Sequence, residues 1–156
     1  AFSGIAAYIS FRYDRRYAFL ALVALAHDVA IVCGVFAWLG VVVQLEVDSL
    51  FAVSLLTIAG YSVNDTVVVF DRIRERSKDA ADLPLSLQVD QAVSATLTRT
   101  LYTSGTTLLP LLALVFFGGA TLYWFAIALA LGVVVGSWSS IALAPSLLTL
   151  WDRSRD

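Results

Sequence analysis

The sequence predicts an all-α fold, a polytopic transmembrane helix bundle, and three observations carry that prediction. Of the 156 residues, 60% are hydrophobic and 14% charged, against roughly 45–50% and about 25% in soluble domains. Apolar runs long enough to cross a bilayer recur along the chain, with short charged clusters between them. The Lys and Arg residues, 10 in all, fall between these runs or at their edges, in three groups that alternating spans place on one side of a membrane.

Taken in order, residues 1–11 read as the tail of a span, too short alone to cross a core that needs about 20 helical residues. The chain opens on the apolar Ala1-Phe2-Ser3-Gly4-Ile5, lacks a basic signal-peptide region and contains no methionine, so an excerpt of a longer protein is expected. Four full runs follow, at about 17–43, 49–71, 99–118 and 121–150. Pro145 in the last run predicts a kink or an end at the interface. Pro110 in the run before it frees the carbonyl of Thr106 and also favours a kink.

The basic groups are Arg12, Arg15 and Arg16; Arg72 to Lys78 with Arg99; and Arg153 with Arg155. The connections around Gln44 to Asp48 and Gly118 to Ala120 carry no basic residue. The positive-inside bias therefore makes the basic side cytoplasmic and puts the C-terminus inside. Residues 72–98 form the one long connection, too short to build its own core. Val89, Val93 and Leu97 recur there at helical spacing after Pro84, which predicts an interfacial helix on the cytoplasmic surface. Residues 1–156 are thus read as one transmembrane domain. Trp38, Tyr123 and Trp124 near one side, with Tyr17 and Trp151 near the other, fit interfacial anchors in contact with lipid headgroups. Cys33 is the only cysteine, which excludes an intramolecular disulfide and a cysteine metal cluster; no metal site is expected.

Ionisable groups inside spans cost about 2.5–3.5 kcal/mol each on insertion scales, so each needs a partner or a purpose. Asp28, preceded by His27, lies in the second run; Asp65, preceded by Asn64 and followed by Thr66, lies in the third; Arg99 opens the fourth. At 1.5 Å of rise per residue, Asp28 lies about 22 Å from Val43, Asp65 about 24 Å from Ser49 and Arg99 about 28 Å from Gly118. The three fall at similar depth, so an Asp–Arg meeting between helices is geometrically allowed. Tyr61 and Asp65 are one turn apart, as are Arg99 and Thr103, with Thr106 and Thr107 a turn further. Such stripes face protein or water, either as an interhelical hydrogen-bond seam or as a working site.

A carboxylate can do what a hydroxyl cannot. Burial and a nearby Arg act oppositely on its proton affinity, so movement of Arg99 relative to Asp65 would switch it. A proton crossing 100 mV releases about 2.3 kcal/mol, enough to bias a two-state helix rearrangement. Asp65, Arg99 and Asp28 are the candidate proton-relay residues, with His27, Asn64, Thr66, Thr103, Thr106 and Thr107 as supporting polar groups. Protons would be the coupling ion, and no other cofactor is expected. Gly132 and Gly136, continued at four-residue spacing by Ser140 and Ala144, form a small-residue stripe suited to close helix packing. Asp71, Arg74, Glu75 and Lys78 pair at helical spacing as a solvated helix end.

The run Gly60-Tyr61-Ser62-Val63-Asn64-Asp65-Thr66-Val67-Val68-Val69-Phe70-Asp71-Arg72-Ile73-Arg74-Glu75 closely resembles the signature of the SecD/SecF family of protein-export membrane proteins, part of the resistance-nodulation-division (RND) superfamily. Ala24 to Asp28, Arg99 to Thr107 and Phe117-Gly118-Gly119 support the resemblance, which covers nearly the whole chain. The equivalent SecD span reads Asp-Ala-Asn where this chain has Val63-Asn64-Asp65, which points to the SecF half. The resemblance implies six transmembrane helices with a large periplasmic domain after the first, of which helices 2–6 would be present here. It implies an inner-membrane location and, as partners, SecD, the SecYEG channel, further accessory membrane subunits and the translocating preprotein, but no nucleic acid. It implies a role in coupling proton motive force to the late stages of protein translocation. Asp65 and Arg99 match the family's proposed proton pathway, and Asp28 falls in its His-Asp element.

Three other readings stay open on the residues alone. The polar pair could only fix helix registry in a scaffolding subunit. The chain could be half of an RND-type exporter of small molecules or lipids, although shared fold is weak support for shared substrate. Asp28 and Asp65 could form an aspartyl-protease dyad, but the Gly-x-Gly-Asp element of intramembrane proteases is absent, so no enzymatic activity is expected.

Overall fold

The computed structural model describes residues 4, 5, 7, 9, 11, 15–79 and 82–153, with the side chain of Arg153 left aside. The expected first span fragment is thus described only at isolated positions, and Arg12 and Arg155 lie outside the described residues. The elements are all helical: α1 (Arg15–Val43), α2 (Ser49–Asp79), α3 (Leu85–Phe117), α4 (Gly119–Trp138), a π turn (Ser139–Leu143) and α5 (Ala144–Arg153). Four helical stretches are long and apolar enough to cross a membrane, the last running from α4 through the π turn into α5.

Two helices outrun the apolar segments that mark them in sequence. Residues 72–79 complete α2, and residues 85–98 begin α3, so no separate interfacial helix occupies 72–98. The reason is local. Arg72 pairs with Glu75 at i,i+3 and Ser77 bonds the Ile73 carbonyl, so the charged end of α2 keeps its helical bonds in a polar setting. After the break, the Pro84 carbonyl accepts the amides of Leu87 and Gln88, which starts α3 directly.

Helix ends follow from capping chemistry. Asp48 accepts the Phe51 amide on its side chain and opens α2 as an N-cap. Gln44, with φ 54°, closes α1 in the left-handed region. Between α3 and α4 the chain turns within Gly118 and Gly119. The Gly118 amide bonds the Leu114 carbonyl at 2.7 Å and Gly119 takes φ 73°, a conformation that a Cβ penalises. Pro110 stays within α3, whereas the last run changes its winding at the π turn, one residue before α5 begins with Ala144-Pro145. Proline has no N–H for the carbonyl one turn back and its ring crowds that carbonyl, so a locally wider turn relieves the clash.

The helix α2 sits centrally, packed against α1, α3 and α4, while α1 and α3 flank the α2–α4 pair. At Gly132 a side chain would collide with Ile58, and at Gly136 a Cβ would stand 3.2 Å from that of Ser62. Close backbone approach of this kind drives helix association where lipid is as apolar as the side chains. The core falls into two apolar clusters. One holds Leu20, Ala24 and Leu25 of α1 with Val69, Phe70 and Ile73 of α2, Val89 and Ala92 of α3, and Ala144 and Leu148 of α5. The other holds Val32 and Phe36 with Ile58, Leu111, Leu129 and Val133. Between them, on every helix that crosses, lies a layer of buried polar side chains: Asp28, Ser62, Asp65, Thr66, Ser104, Ser139 and Ser140.

Candidate functional site: a buried polar layer between two apolar clusters

In this layer each polar group takes its partner from another helix or from its own backbone, as burial away from water demands. Asp28 of α1 is fully buried. Its Oδ2 accepts the hydroxyls of Ser62 at 2.5 Å and Ser139 at 2.7 Å. Its Oδ1 lies 3.0 Å from His27 Nδ1. The His27 ring is partly exposed and stacks on Trp138. Three elements, α1, α2 and the π turn, are tied at one carboxylate.

Asp65 of α2 is buried with a different and sparser shell. Its Oδ2 accepts from Ser137 of α4 at 3.5 Å. Ser137 also lies 2.7 Å from the Val133 carbonyl and 2.5 Å from Ser104 Oγ of α3. Ser104 in turn can donate to the Thr100 carbonyl at 2.7 Å and receives the Tyr61 hydroxyl at 3.3 Å. A serine has one hydroxyl proton, so Ser137 serves one of these acceptors at a time. A charged carboxylate is the stronger acceptor and a neutral one the weaker. The hydroxyl chain Tyr61, Ser104, Ser137, Asp65 can therefore rearrange with the protonation state of Asp65 without moving a helix.

Arg99 does not touch Asp65. It is exposed on α3. Ion pairs within 4 Å include His27–Asp28 and Arg72–Glu75. A cleft of about 370 Å³ lined by Val68, Asp71, Arg72, Glu75, Ala95, Thr96 and Arg99 runs along the charged ends of α2 and α3 up to the guanidinium. The meeting of carboxylate and guanidinium that their depths allow is thus not made in this structure, where Arg99 lines the cleft instead.

The remaining candidates divide. Thr66 Oγ1 and Ser140 Oγ share a hydrogen bond of 2.9 Å, a direct α2 to π-turn contact. Thr103, Thr106 and Thr107 bond carbonyls of their own helix, Thr103 that of Arg99 and Thr107 that of Thr103, and so leave the layer. Asn64 points away from it, exposed toward a groove of about 540 Å³ lined by Gly4, Ile5, Leu56, Gly60, Val63 and Val67. Residues outside the proton-relay and supporting candidates complete the site: Ser62, Ser104, Ser137 and Ser139. Ser62 and Ser104 show in sequence as four-residue spacings, Ser62 to Thr66 on α2 and Thr100 to Ser104 on α3, whereas Ser137 and Ser139 have no such polar partner. Among the described residues no group of three His, Cys, Asp or Glu side chains is arranged to hold a metal ion.

Comparison with known proteins gives this layer a family. The profile described as protein export membrane protein SecD/SecF, C-terminal, matches residues 1–154. The chain is 75% identical over 150 residues to the protein translocase subunit SecF of Prochlorococcus marinus, covering 96% of this chain and 47% of that one. It is 48% identical over 152 residues to the protein translocase subunit SecF of Synechocystis, covering 97% and 48%. A crystal structure of SecDF in its super-membrane-facing form matches with a TM-score of 0.89 at 45% identity, over 96% of this chain and 20% of that one. The chain spans about half the length of these SecF relatives. With four spanning-length helices, a polar layer across them and these relatives, the chain belongs to the SecD/SecF family of protein-export membrane proteins, on its SecF side.

Proposed function

We propose that this chain is the membrane part of a protein-translocase subunit in which protonation of Asp65 couples proton motive force to protein export. The observation that carries the reading is the asymmetry of the two buried carboxylates. Asp28 is bound by three neighbours, whereas Asp65 has one long hydrogen bond, a cation held off at a distance and a cleft beside that cation. A sparsely satisfied carboxylate near a movable cation is one whose proton affinity changes as helices move. Each proton crossing 100 mV supplies about 2.3 kcal/mol, which a two-state helix arrangement can use if its states differ in affinity for that proton.

The partners follow from what α3 leaves uncovered. Arg99 and Tyr102 are exposed on α3, the least buried of the spanning-length helices, and Asn64 is exposed on α2. Polar groups at such depths face protein or water rather than lipid. A relative from Thermus thermophilus carries the name SecDF and has this segment as 20% of its length; SecD is accordingly the partner proposed for this face, with SecYEG as the channel served. The subunit lies in the inner membrane with its C-terminus and the charged ends of α2 and α3 in the cytoplasm.

A scaffold reading draws on a separate observation, the Thr66–Ser140 bond and the Asp28 cage, which tie helices without needing a proton. Gradient-driven export in vesicles, with the full-length subunit, SecD and SecYEG, separates the two. Asp65→Asn and Arg99→Met should assemble in normal amount and lose gradient dependence. A scaffold instead predicts that export falls only as far as assembled complex falls.

A further inference from the structure

The segment from Ser137 to Ser140 carries three serines, and each reaches a different group on the facing helices. Ser137 donates toward Asp65, Ser139 donates to Asp28, and Ser140 shares a bond with Thr66. Each also has a backbone carbonyl as an alternative acceptor: Val133 for Ser137, and Gly136 for both Ser139 and Ser140. The π turn starts at Ser139. In an unbroken α-helix Ser137 and Ser139 would point about 200° apart, and a π turn is a local unwinding of the kind that recurs at working sites. The two carboxylates are therefore joined through three residues of backbone, Ser137 to Ser139. Asp28 holds its end by a short bond from Ser139 to Oδ2, and Asp65 is held at the other end by a long one.

We propose that Asp28 is a positioning residue for Asp65: through Ser139 it fixes the segment Ser137–Ser140, and so fixes the hydroxyl that Ser137 offers to Asp65. The inference rests on the reading that Asp65 takes up and releases the coupling proton, and adds to it the device that sets how well the charged form is solvated. Asp28 keeps its cage while Asp65 changes state. When Asp65 is ionised, the Ser137 proton turns to it; when Asp65 is protonated, that proton turns to the Val133 carbonyl. The ionisable groups around Asp65 are Tyr61 on its own helix, Arg99 on α3 and the His27–Asp28 pair on α1, and the facing part of α4 contributes hydroxyls alone. Removing Ser139's tie to Asp28 lets the segment relax toward its own carbonyls, weakens the donor at Asp65 and favours the protonated form.

The test is the pH dependence of gradient-driven export at a fixed membrane potential, with the full-length subunit in the vesicles described above. Ser137→Ala and Ser139→Ala should each move the half-maximal pH upward by about 0.5 unit, about threefold in proton affinity. The double variant should move it no further than either alone, because both act through one hydroxyl. Ser139→Thr, which keeps the donor, should restore the wild-type profile. An unshifted Ser139→Ala profile, with the rate scaled down equally at every pH, overturns the proposal and leaves Asp28 as packing. If Ser139→Ala does not assemble, Ser139→Cys, whose thiol is only a weak donor, is read in its place, and an unshifted profile there is equally fatal. The two levels fail separately: Asp65→Asn that keeps gradient dependence refutes the functional reading, whereas Asp65→Asn that loses it beside an unshifted Ser139→Ala refutes the positioning role alone.

Discussion

Ser137 and Ser139 stand two residues apart on one helical segment and donate to different carboxylates, Ser137 to Asp65 at 3.5 Å and Ser139 to Asp28 at 2.7 Å. The short bond belongs to the carboxylate fixed from three sides and the long one to the carboxylate with no other hydrogen bond from a side chain among the described residues. The two carboxylates of this polar layer thus differ in how they are held, and the proposed roles yield outcomes that differ residue by residue.

Asp28→Ala should destabilise the bundle. It leaves the Ser62 hydroxyl without its interhelical acceptor and opens a cavity at a fully buried site, at a cost of about 1–3 kcal/mol. Asp28→Asn keeps an acceptor oxygen and should cost less. Denaturant unfolding of the purified subunit in detergent ranks the two; equal stability of Asp28→Ala and wild type would contradict the cage.

Thr66→Val should be nearly silent. The Thr66–Ser140 bond lies in the same layer, but interhelical bonds in membranes average about 0.6 kcal/mol. Export by Thr66→Val should match wild type once abundance is corrected. A loss as deep as that of Asp65→Asn would mean that the Thr66–Ser140 contact takes part in coupling.

Gly132→Ala should push α2 and α4 apart, because the added methyl meets the Ile58 side chain. Overpacking of this sort costs about 1–3 kcal/mol. Ile58→Val in the same chain should return part of the loss, and thermal unfolding of single and double variants measures that coupling.

Gly119→Ala strains the α3–α4 hairpin through φ 73°, with a cost of about 1–2 kcal/mol. Gly105→Ala, where an added Cβ meets nothing within 4 Å, is the matched control. Similar melting temperatures for the two variants would show that the hairpin does not depend on the left-handed residue.

The fold was legible in the sequence because bilayer-length apolar runs and one-sided basic clusters are strong, redundant signals. Asp28, Asp65 and Arg99 stood out for the converse reason, as expensive residues in those runs. What lay hidden was cheap. Ser62, Ser104, Ser137 and Ser139 cost little anywhere in an apolar helix, so only the three-dimensional meeting of four helices marks them. The π turn was hidden because Pro145 predicts a disturbance and not its form. Apolar runs mark α2 and α3 as shorter than they are because hydropathy falls at Arg72 while helical hydrogen bonding continues. Asn64 and Asp65 are neighbours in sequence on different faces of α2, one turned to an outer groove and one to the polar layer, and the spacing alone could not orient the helix about its axis.

Passage of a proton by way of Asp65 is measured as proton entry into vesicles that hold the full-length subunit with SecD and SecYEG under an imposed membrane potential. Entry is expected in wild type and in Thr66→Val, and its loss in Asp65→Asn at equal assembled amount. Proton entry through Asp65→Asn at the wild-type rate would contradict passage by way of Asp65.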